Sequence, residues 1–309
     1  IISSTQRMNI ASIKTSYFEP WLQFSHPMVR QLAFTIASPN LLSQLPCSLT
    51  IRHSFQLHTD KNWEQHFQNY LPRLKQLDEA PEPLLQFMSR LKSTRLGLRF
   101  ENLLWFWLQE DQYHPYQLLG HSIQKIDGAK TLGELDFLVL NQNTQEIEHW
   151  EVALKYYLGE GQLNLEQWIG LNRQDTLSKK LYHFTDKQFQ FSKALGFKVH
   201  QRFAVLKGQL YLPLNLPQKQ PIPEWVNLKR RLGTWGTKIP KSDFYRLKRH
   251  EWLCPHQKAS SNTAYWWTDG LYCQNINETR FYMFRHPALL SLKPSLIKNN
   301  GVLQETTSL

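Results

Sequence analysis

The stretch "GELDFLVLNQNTQEIEHWEVALKYYL", residues 133–158, reads as two apolar strands joined by a polar turn. Its pattern predicts strands near 133–141 and 147–157. Charged side chains nevertheless lie inside both strands, namely Glu134, Asp136, Glu151 and Lys155. Because a charge is costly to bury and easily kept in a loop, these four residues need either solvent or a ligand.

The register of this hairpin decides how the charges meet. Alternate residues share a face of a strand, so Glu134 and Asp136 point to the same side. If the turn is symmetric about Asn143 and Thr144, Asp136 lies directly opposite Glu151, with about 5 Å between the Cβ atoms. Two carboxylates at that separation repel each other strongly unless a cation lies between them.

A divalent cation suits this pair of acids. Magnesium prefers carboxylate oxygens, takes one or two of them from a protein, and activates water for attack on a phosphoryl group. Lys155 shares a face with Glu151 and could orient that water or stabilise the developing charge. The alternative is a wet sheet face with Lys155 in a surface ion pair, which the hairpin residues alone favour.

The composition indicates a globular protein with one strongly basic region. The 309 residues are 41% hydrophobic and 13% aromatic, which is enough for a packed core. The net charge is +11, and residues 170–258 contain 18 Lys and Arg against 5 Asp and Glu. This concentration of positive charge in one segment suits a polyanionic partner. Nucleic acid is the favoured partner, and an acidic membrane is the second choice. A solvated basic surface without a partner is the alternative.

The same sequence carries expectations about location. No apolar run approaches the roughly 20 residues of a membrane span, and the first 21 residues lack the apolar core of a secretory signal. Cys47, Cys254 and Cys273 are widely spaced, which argues against a disulfide framework. We therefore expect a cytoplasmic protein without a membrane span or a disulfide-linked partner, with Met8 as a candidate start.

Three regions are predicted along the chain. Residues 1–93 are mostly helical, 94–213 form an α/β core, and 214–309 form an irregular, basic, Trp-rich extension packed on the sheet. The helical patterns lie at 27–46, 61–77, 82–93 and 95–111, the last of them buried.

The core combines these patterns into an α/β sandwich on a small mixed sheet. A strand near 118–126 precedes the hairpin. A helix at about 176–195 follows it, with Asp175 or Thr176 as N-cap and Gly196 as its stop. Residues 198–214 then read as a strand, a Lys-Gly turn and another strand.

The order of acids and lysine resembles the PD-(D/E)XK nuclease superfamily: Glu101 on a helix, Asp136 on the second strand, then Glu151 and Lys155 on the third. The resemblance implies a restriction-endonuclease-like αβββαβ core with a mixed sheet, and magnesium- or manganese-dependent cleavage of DNA or RNA. It implies Asp136, Glu151 and Glu101 as metal ligands and catalytic acids, with Lys155 as the catalytic lysine.

One residue departs from that pattern. In the superfamily the lysine normally lies two residues after the second acid, where this chain has Ala153. Lys155 is displaced by about 6 to 7 Å along the strand, although period two keeps it on the same face.

From about Pro27 onward the chain also resembles an uncharacterised bacterial family known only as a domain of unknown function. The segments that carry this likeness are "VRQLAFTIASPNLL", "LRFENLL", "GELDFLVL", "HWEVALKYYL", "WIGLNRQDTLSKKL" and "YWWTDG". That family brings no assigned activity.

Nucleic-acid contacts are predicted just beyond the hairpin. Arg173, Lys179 and Lys180 lie at a helix start, where basic side chains and backbone N–H groups can hold a phosphate. The alternative is an ordinary capped helix with solvated lysines. The tryptophans of 225–267 alternate with basic residues and could stack bases, but core packing is favoured for most of them.

A zinc site is a weaker hypothesis. His250, Cys254, His256 and Cys273 carry suitable ligand atoms but include no Cys-x-x-Cys pair, so packed thiols and surface imidazoles are favoured.

Three functions therefore stay open. The first is a metal-dependent nuclease that uses the hairpin acids. The second is a non-catalytic nucleic-acid-binding protein of the same fold, which the displaced lysine favours. The third is a scaffold whose hairpin charges are solvated.

Overall fold

The N-terminal region is helical, as the apolar spacing predicts. The computed structural model describes residues 17–128, 130–275 and 279–287, so Met8 lies outside the described residues. The first helices are α1 (Pro27–Ala37), α2 (Asp60–Glu79), α3 (Glu82–Met88) and α4 (Leu96–Leu108). Local sequence starts them: His26 caps α1 ahead of Pro27, and Thr59 forms a capping box with Asn62 at α2.

Three long antiparallel strands follow, and the predicted hairpin is confirmed. They are β1 (Tyr116–Asp127), β2 (Lys130–Asn141) and β3 (Glu146–Gly159). A short strand, β4 (Trp168–Gly170), pairs with the end of β3, and α5 (Leu177–Asp186) comes next. Two two-residue strands, β5 (Lys193–Ala194) and β6 (Phe197–Lys198), form a separate hairpin.

β7 (Gln201–Pro213) returns parallel to β3, which gives a mixed sheet with the order β1-β2-β3-β7. A helix between β3 and β7 supplies the crossover that a parallel pair requires. Both faces of β3 are covered. Trp150, Leu154 and Tyr156 pack into the core formed with α1, α2 and α4, whereas Ala153 and Tyr157 pack into the core formed with α5.

Helix α5 is shorter than predicted. It begins after Thr176, whose side chain accepts a hydrogen bond from Lys179 N–H, but it ends at Asp186 instead of continuing to residue 195. A 3₁₀ turn over Gln188–Gln190 follows and buries Phe189 against the sheet. Gly196, predicted as the helix stop, is instead the turn between β5 and β6, with φ +83°.

The predicted Lys-Gly turn is also wrong, because β7 runs through it. Gly208 has φ +129°, and a Cβ at this position would lie 1.9 Å from the carbonyl oxygen of Lys155 on β3. Glycine here therefore permits a close approach of two backbones. The neighbouring Lys207 is buried, and its Nζ donates to the carbonyl oxygen of Thr35 at 2.6 Å, near the end of α1.

Short strands in the C-terminal region extend the same sheet, where the sequence predicts an irregular extension. They are β8 (Gly233–Gly236), β9 (Tyr245–Arg246), β10 (Gly270–Gln274) and β11 (Arg280–Phe284), and the order continues β7-β8-β11-β10-β9. Trp235 and Trp252 are buried, as predicted for most of these tryptophans, whereas Trp266 is 90% exposed.

Within the described ranges, no helix is both long enough and apolar enough to cross a membrane. Cys47, Cys254 and Cys273 are free thiols, and the last two are buried.

Candidate functional site

The register of β2 and β3 brings Asp136 and Glu151 together, as the symmetric turn predicts. Phe137 pairs with Trp150, and one further step along the strands sets Asp136 opposite Glu151. At this point the two side-chain carboxylates accept hydrogen bonds from backbone N–H groups of the opposite strand. Val152 N–H donates to Asp136 Oδ2 at 2.8 Å, and Asp136 N–H donates to Glu151 Oε1 at 3.4 Å.

Glu151 is fully buried and held on both oxygens. Its Oε1 lies 2.6 Å from His149 Nε2, and its Oε2 accepts a hydrogen bond from the side-chain amide of Gln188. Burial raises the pKa of Glu151 to about 8, and burial lowers the pKa of His149 to about 3. Without a ligand, this pair is therefore neutral at physiological pH.

Asp136 is half-buried beside Glu151. Burial raises the pKa of Asp136 well above its usual range, and the negative charge of Glu151 raises it further. The hydrogen bond from Val152 N–H and the charge of Lys180 act in the opposite direction but do not outweigh these effects. Burial, which disfavours the charged form, is thus the first cause of the raised pKa of both acids.

The lysine that faces the two acids is Lys180, from α5. Its Nζ donates to Gln188 Oε1 at 2.8 Å and lies 4.0 Å from the centre of the Phe184 ring. Gln188 thus bridges Lys180 and Glu151. Burial lowers the pKa of Lys180 to about 8, opposed by the charges of Glu151 and Asp136.

Lys155 does not join this group. Its Nζ forms an ion pair with Asp175 Oδ2 at 2.7 Å, and both side chains are partly exposed. Asp175, considered above as an N-cap, therefore serves as the partner of Lys155, while Thr176 caps α5.

Glu101 lies on α4, which packs against the other face of the sheet. Its Oε1 lies 2.7 Å from His121 Nε2, and the His121 ring is stacked on Trp105 and Phe137. Glu101 still adds to the repulsion that raises the pKa of Asp136. It is an electrostatic neighbour of the pair, with His121 as its direct partner.

The residues predicted to contact nucleic acid separate into two groups. Arg173 forms a two-bond ion pair with Glu160, at 2.8 and 3.1 Å, and Lys179 donates to the carbonyl oxygen of Gln174. Both lie at the surface. Lys180 belongs instead to the half-buried group around Glu151.

Sequence reasoning missed Gln188 and the role of Lys180, although the sequence carries a signal for the lysine. Leu177, Leu181 and Phe184 form the buried stripe of α5, and Lys180, three residues after Leu177, falls on the same stripe. A charge at helical spacing among apolar residues indicates a side chain that faces the sheet. Gln188 lies beyond the helix end, where no such period applies.

A family model described as "Domain of unknown function (DUF1853)" matches residues 30–307. The chain belongs to this family. Searches of curated proteins and of solved structures found no match.

In this DUF1853 chain, the described residues contain no group of three or more His, Cys, Asp or Glu side chains arranged to hold a metal ion. The zinc hypothesis for His250, Cys254, His256 and Cys273 therefore has no support. Magnesium and manganese need only one or two protein carboxylates, so Asp136 and Glu151 are the acids that would hold such an ion, which would replace the bonds of Glu151 to His149 and Gln188. Burial is the main cause of both raised pKa values, so a cation beside the two acids would favour their ionised forms.

Proposed function

We propose that this protein is a metal-dependent nuclease that hydrolyses phosphodiester bonds of DNA or RNA. The observation that carries the proposal is the meeting of Asp136 and Glu151 on adjacent strands with Lys180 beside them. Acids and a lysine whose pKa values are shifted toward neutrality are typical of functional sites.

Each residue has a distinct role in this proposal. Asp136 and Glu151 would hold a magnesium or manganese ion, which would lower the pKa of bound water and neutralise charge on a phosphoryl oxygen. Lys180 replaces Lys155 as the lysine near the reacting phosphate, because Lys155 is paired with Asp175. With a pKa near neutrality, Lys180 can stabilise developing negative charge or hold a proton. Gln188 positions Lys180 relative to Glu151.

The topology supports a restriction-endonuclease-like core. The order α4, β1, β2, β3, α5, β7 follows the αβββαβ pattern, with β2 antiparallel to its neighbours and β7 parallel to β3. The basic region at 170–258 supports nucleic acid as the substrate class.

A second candidate is a nucleic-acid-binding protein without catalysis. The burial of Glu151, with both oxygens hydrogen-bonded to His149 and Gln188, favours it. In this case the basic region would bind the backbone and the acids would have no reaction to perform.

The test is cleavage of single- and double-stranded DNA and RNA at low salt with magnesium or manganese, with binding measured in parallel. Asp136→Asn should abolish cleavage and retain binding. Glu134→Gln is the matched control, because Glu134 is an exposed acid on the same strand, held by Ser122. If the wild type binds nucleic acid without metal-dependent cleavage, the second candidate is favoured. If the wild type neither binds nor cleaves nucleic acid, both candidate functions are contradicted.

A further inference from the structure

Two adjacent aromatic side chains, Tyr265 and Trp266, project into solvent from residues 261–269, the aromatic loop that precedes β10. They are 85% and 90% exposed, and no other large apolar side chain in the described ranges exceeds 62%. Aromatic rings carry a large apolar surface, so they are normally packed inside a protein or against a partner. The aromatic loop therefore presents a surface that the fold itself does not use.

The backbone of the aromatic loop is held on both sides of the exposed pair. Before the pair, Ala264 N–H donates to the carbonyl oxygen of Phe244 at 2.7 Å. After it, the Trp267 ring stacks on Tyr272 at 3.9 Å, and Thr268 N–H donates to the Tyr272 hydroxyl oxygen at 3.0 Å. Because the loop is already ordered, binding through the two exposed rings would cost little conformational entropy.

Positive charge lies beside the aromatic loop. Arg246 of β9 contacts both of its ends: Ser261 Oγ donates to the Arg246 carbonyl oxygen at 3.0 Å, and Arg246 Nη2 donates to the Asp269 carbonyl oxygen at 2.9 Å. The Arg246 side chain is exposed and makes no ion pair with a described residue. Residues 238–258 contain six Lys and Arg against two acids, one of which, Glu251, is fully buried. These surroundings favour an anionic partner.

The rings and the charges together select single-stranded nucleic acid. Every base can stack on an aromatic ring, while basic side chains hold the phosphates of the same strand. In a duplex the bases are already stacked on one another and are out of reach. A protein or a membrane would favour a wider apolar patch, whereas the other exposed residues of the loop are polar. These are Ser261, Asn262, Thr263 and Thr268.

We propose that Tyr265 and Trp266 stack on unpaired bases of single-stranded DNA or RNA, while Arg246 contacts the phosphate backbone. The inference rests on nucleic acid as the substrate class of the proposed function, and it specifies the single-stranded form. It does not rest on catalysis by the carboxylate pair.

The experiment measures the fluorescence anisotropy of a labelled single strand of mixed sequence, the matching duplex and an abasic strand with the same backbone, at low salt without metal. The wild type should bind the single strand about tenfold more tightly than the abasic strand, because only the former supplies base faces. Trp266→Ala should remove most of this preference, Trp266→Phe should retain it, and the double variant Tyr265→Ala/Trp266→Ala should bind both strands equally. Phe197→Ala is the matched control, since it removes a 43% exposed ring outside the loop.

Arg246→Gln tests the phosphate contact. It should weaken binding of the single and abasic strands alike, by several-fold, and reduce the salt dependence of both, because it removes a charge and leaves the rings in place.

Cleavage with magnesium is measured separately, so that the inference and the proposed function can fail independently. Base-dependent binding that the double variant lacks supports the inference, even if no strand is cleaved. Equal binding of the single and abasic strands by the wild type, or unchanged binding by the double variant, overturns it, while cleavage that Asp136→Asn abolishes would still support the nuclease. Binding of the wild type to phosphatidylserine vesicles but to no oligonucleotide overturns the inference in favour of a membrane surface.

Discussion

The two faces of β3 differ in what they bury. On one face Trp150 is fully buried among aromatic rings, with Tyr116 at 4.7 Å and Trp63 at 6.3 Å between ring centres. On the other face, the adjacent residue Glu151 is equally buried but faces Asp136. The aromatic face gains stability from apolar burial, whereas the acidic face loses stability because it takes two carboxyl groups out of water. Because perturbed pKa values cluster at functional sites, our proposal places the function on the acidic face.

The largest expected effect tests the aromatic face. Trp150→Ala should lower the free energy of unfolding by about 3–5 kcal/mol, because it leaves a large cavity among packed rings. Urea unfolding of both proteins measures this difference. A loss of less than about 1 kcal/mol would contradict the assigned stabilising role of this face.

The next effect is the pH dependence of the acidic face. Since burial raises the pKa of Glu151 from 4.5 to about 8, the folded state holds a proton that the unfolded chain releases. This contribution is fully present below pH 4.5 and is lost as pH rises through about 8. Between pH 5 and 8, the free energy of unfolding of the wild type should therefore fall by on the order of a few kcal/mol more than that of Glu151→Gln.

Unfolding curves of the two proteins across this range give that difference. Magnesium should restore part of the lost stability to the wild type at pH 8, because it binds the ionised acids of the folded state alone. Parallel pH profiles for wild type and Glu151→Gln would contradict the raised pKa.

A smaller effect separates the two lysines. Lys180→Met should reduce phosphodiester cleavage about 100-fold, because Lys180 lies with the acids, whereas Lys155→Met should change it by less than about threefold. Both variants lose one positive charge, so each controls for the other. Cleavage rates at saturating magnesium provide the measurement, and the reverse order would return the catalytic role to Lys155.

The smallest effect concerns the ion pair between Lys155 and Asp175, whose side chains are 29% and 39% exposed. Asp175→Asn should cost less than about 1 kcal/mol, because solvent screens a surface pair. A double-mutant cycle with Lys155→Met measures the interaction. A coupling of several kcal/mol would show that this pair organises the strand.

Local pattern predicted the hairpin and the meeting of its acids. Strand alternation and a turn centred on Asn143 and Thr144 define the register, and a register is enough to pair Asp136 with Glu151. Lys180 was within reach of the same reasoning, because it lies on the apolar stripe of α5.

Long-range contacts explain what sequence reasoning missed. Gly208 looks like a turn residue, but its role depends on the backbone of Lys155 across the sheet. β8 to β11 are only two to five residues long, and β8 pairs with β11 more than forty positions away. Periodicity cannot reveal strands that short, since one alternation is not a pattern.

The most direct test of the account is calorimetric titration of magnesium and manganese into the wild type, Asp136→Asn and Glu134→Gln at pH 8. We expect one site in the wild type and in Glu134→Gln, and loss of that site in Asp136→Asn. Absence of binding to the wild type, or undiminished binding to Asp136→Asn, would contradict a metal site between Asp136 and Glu151.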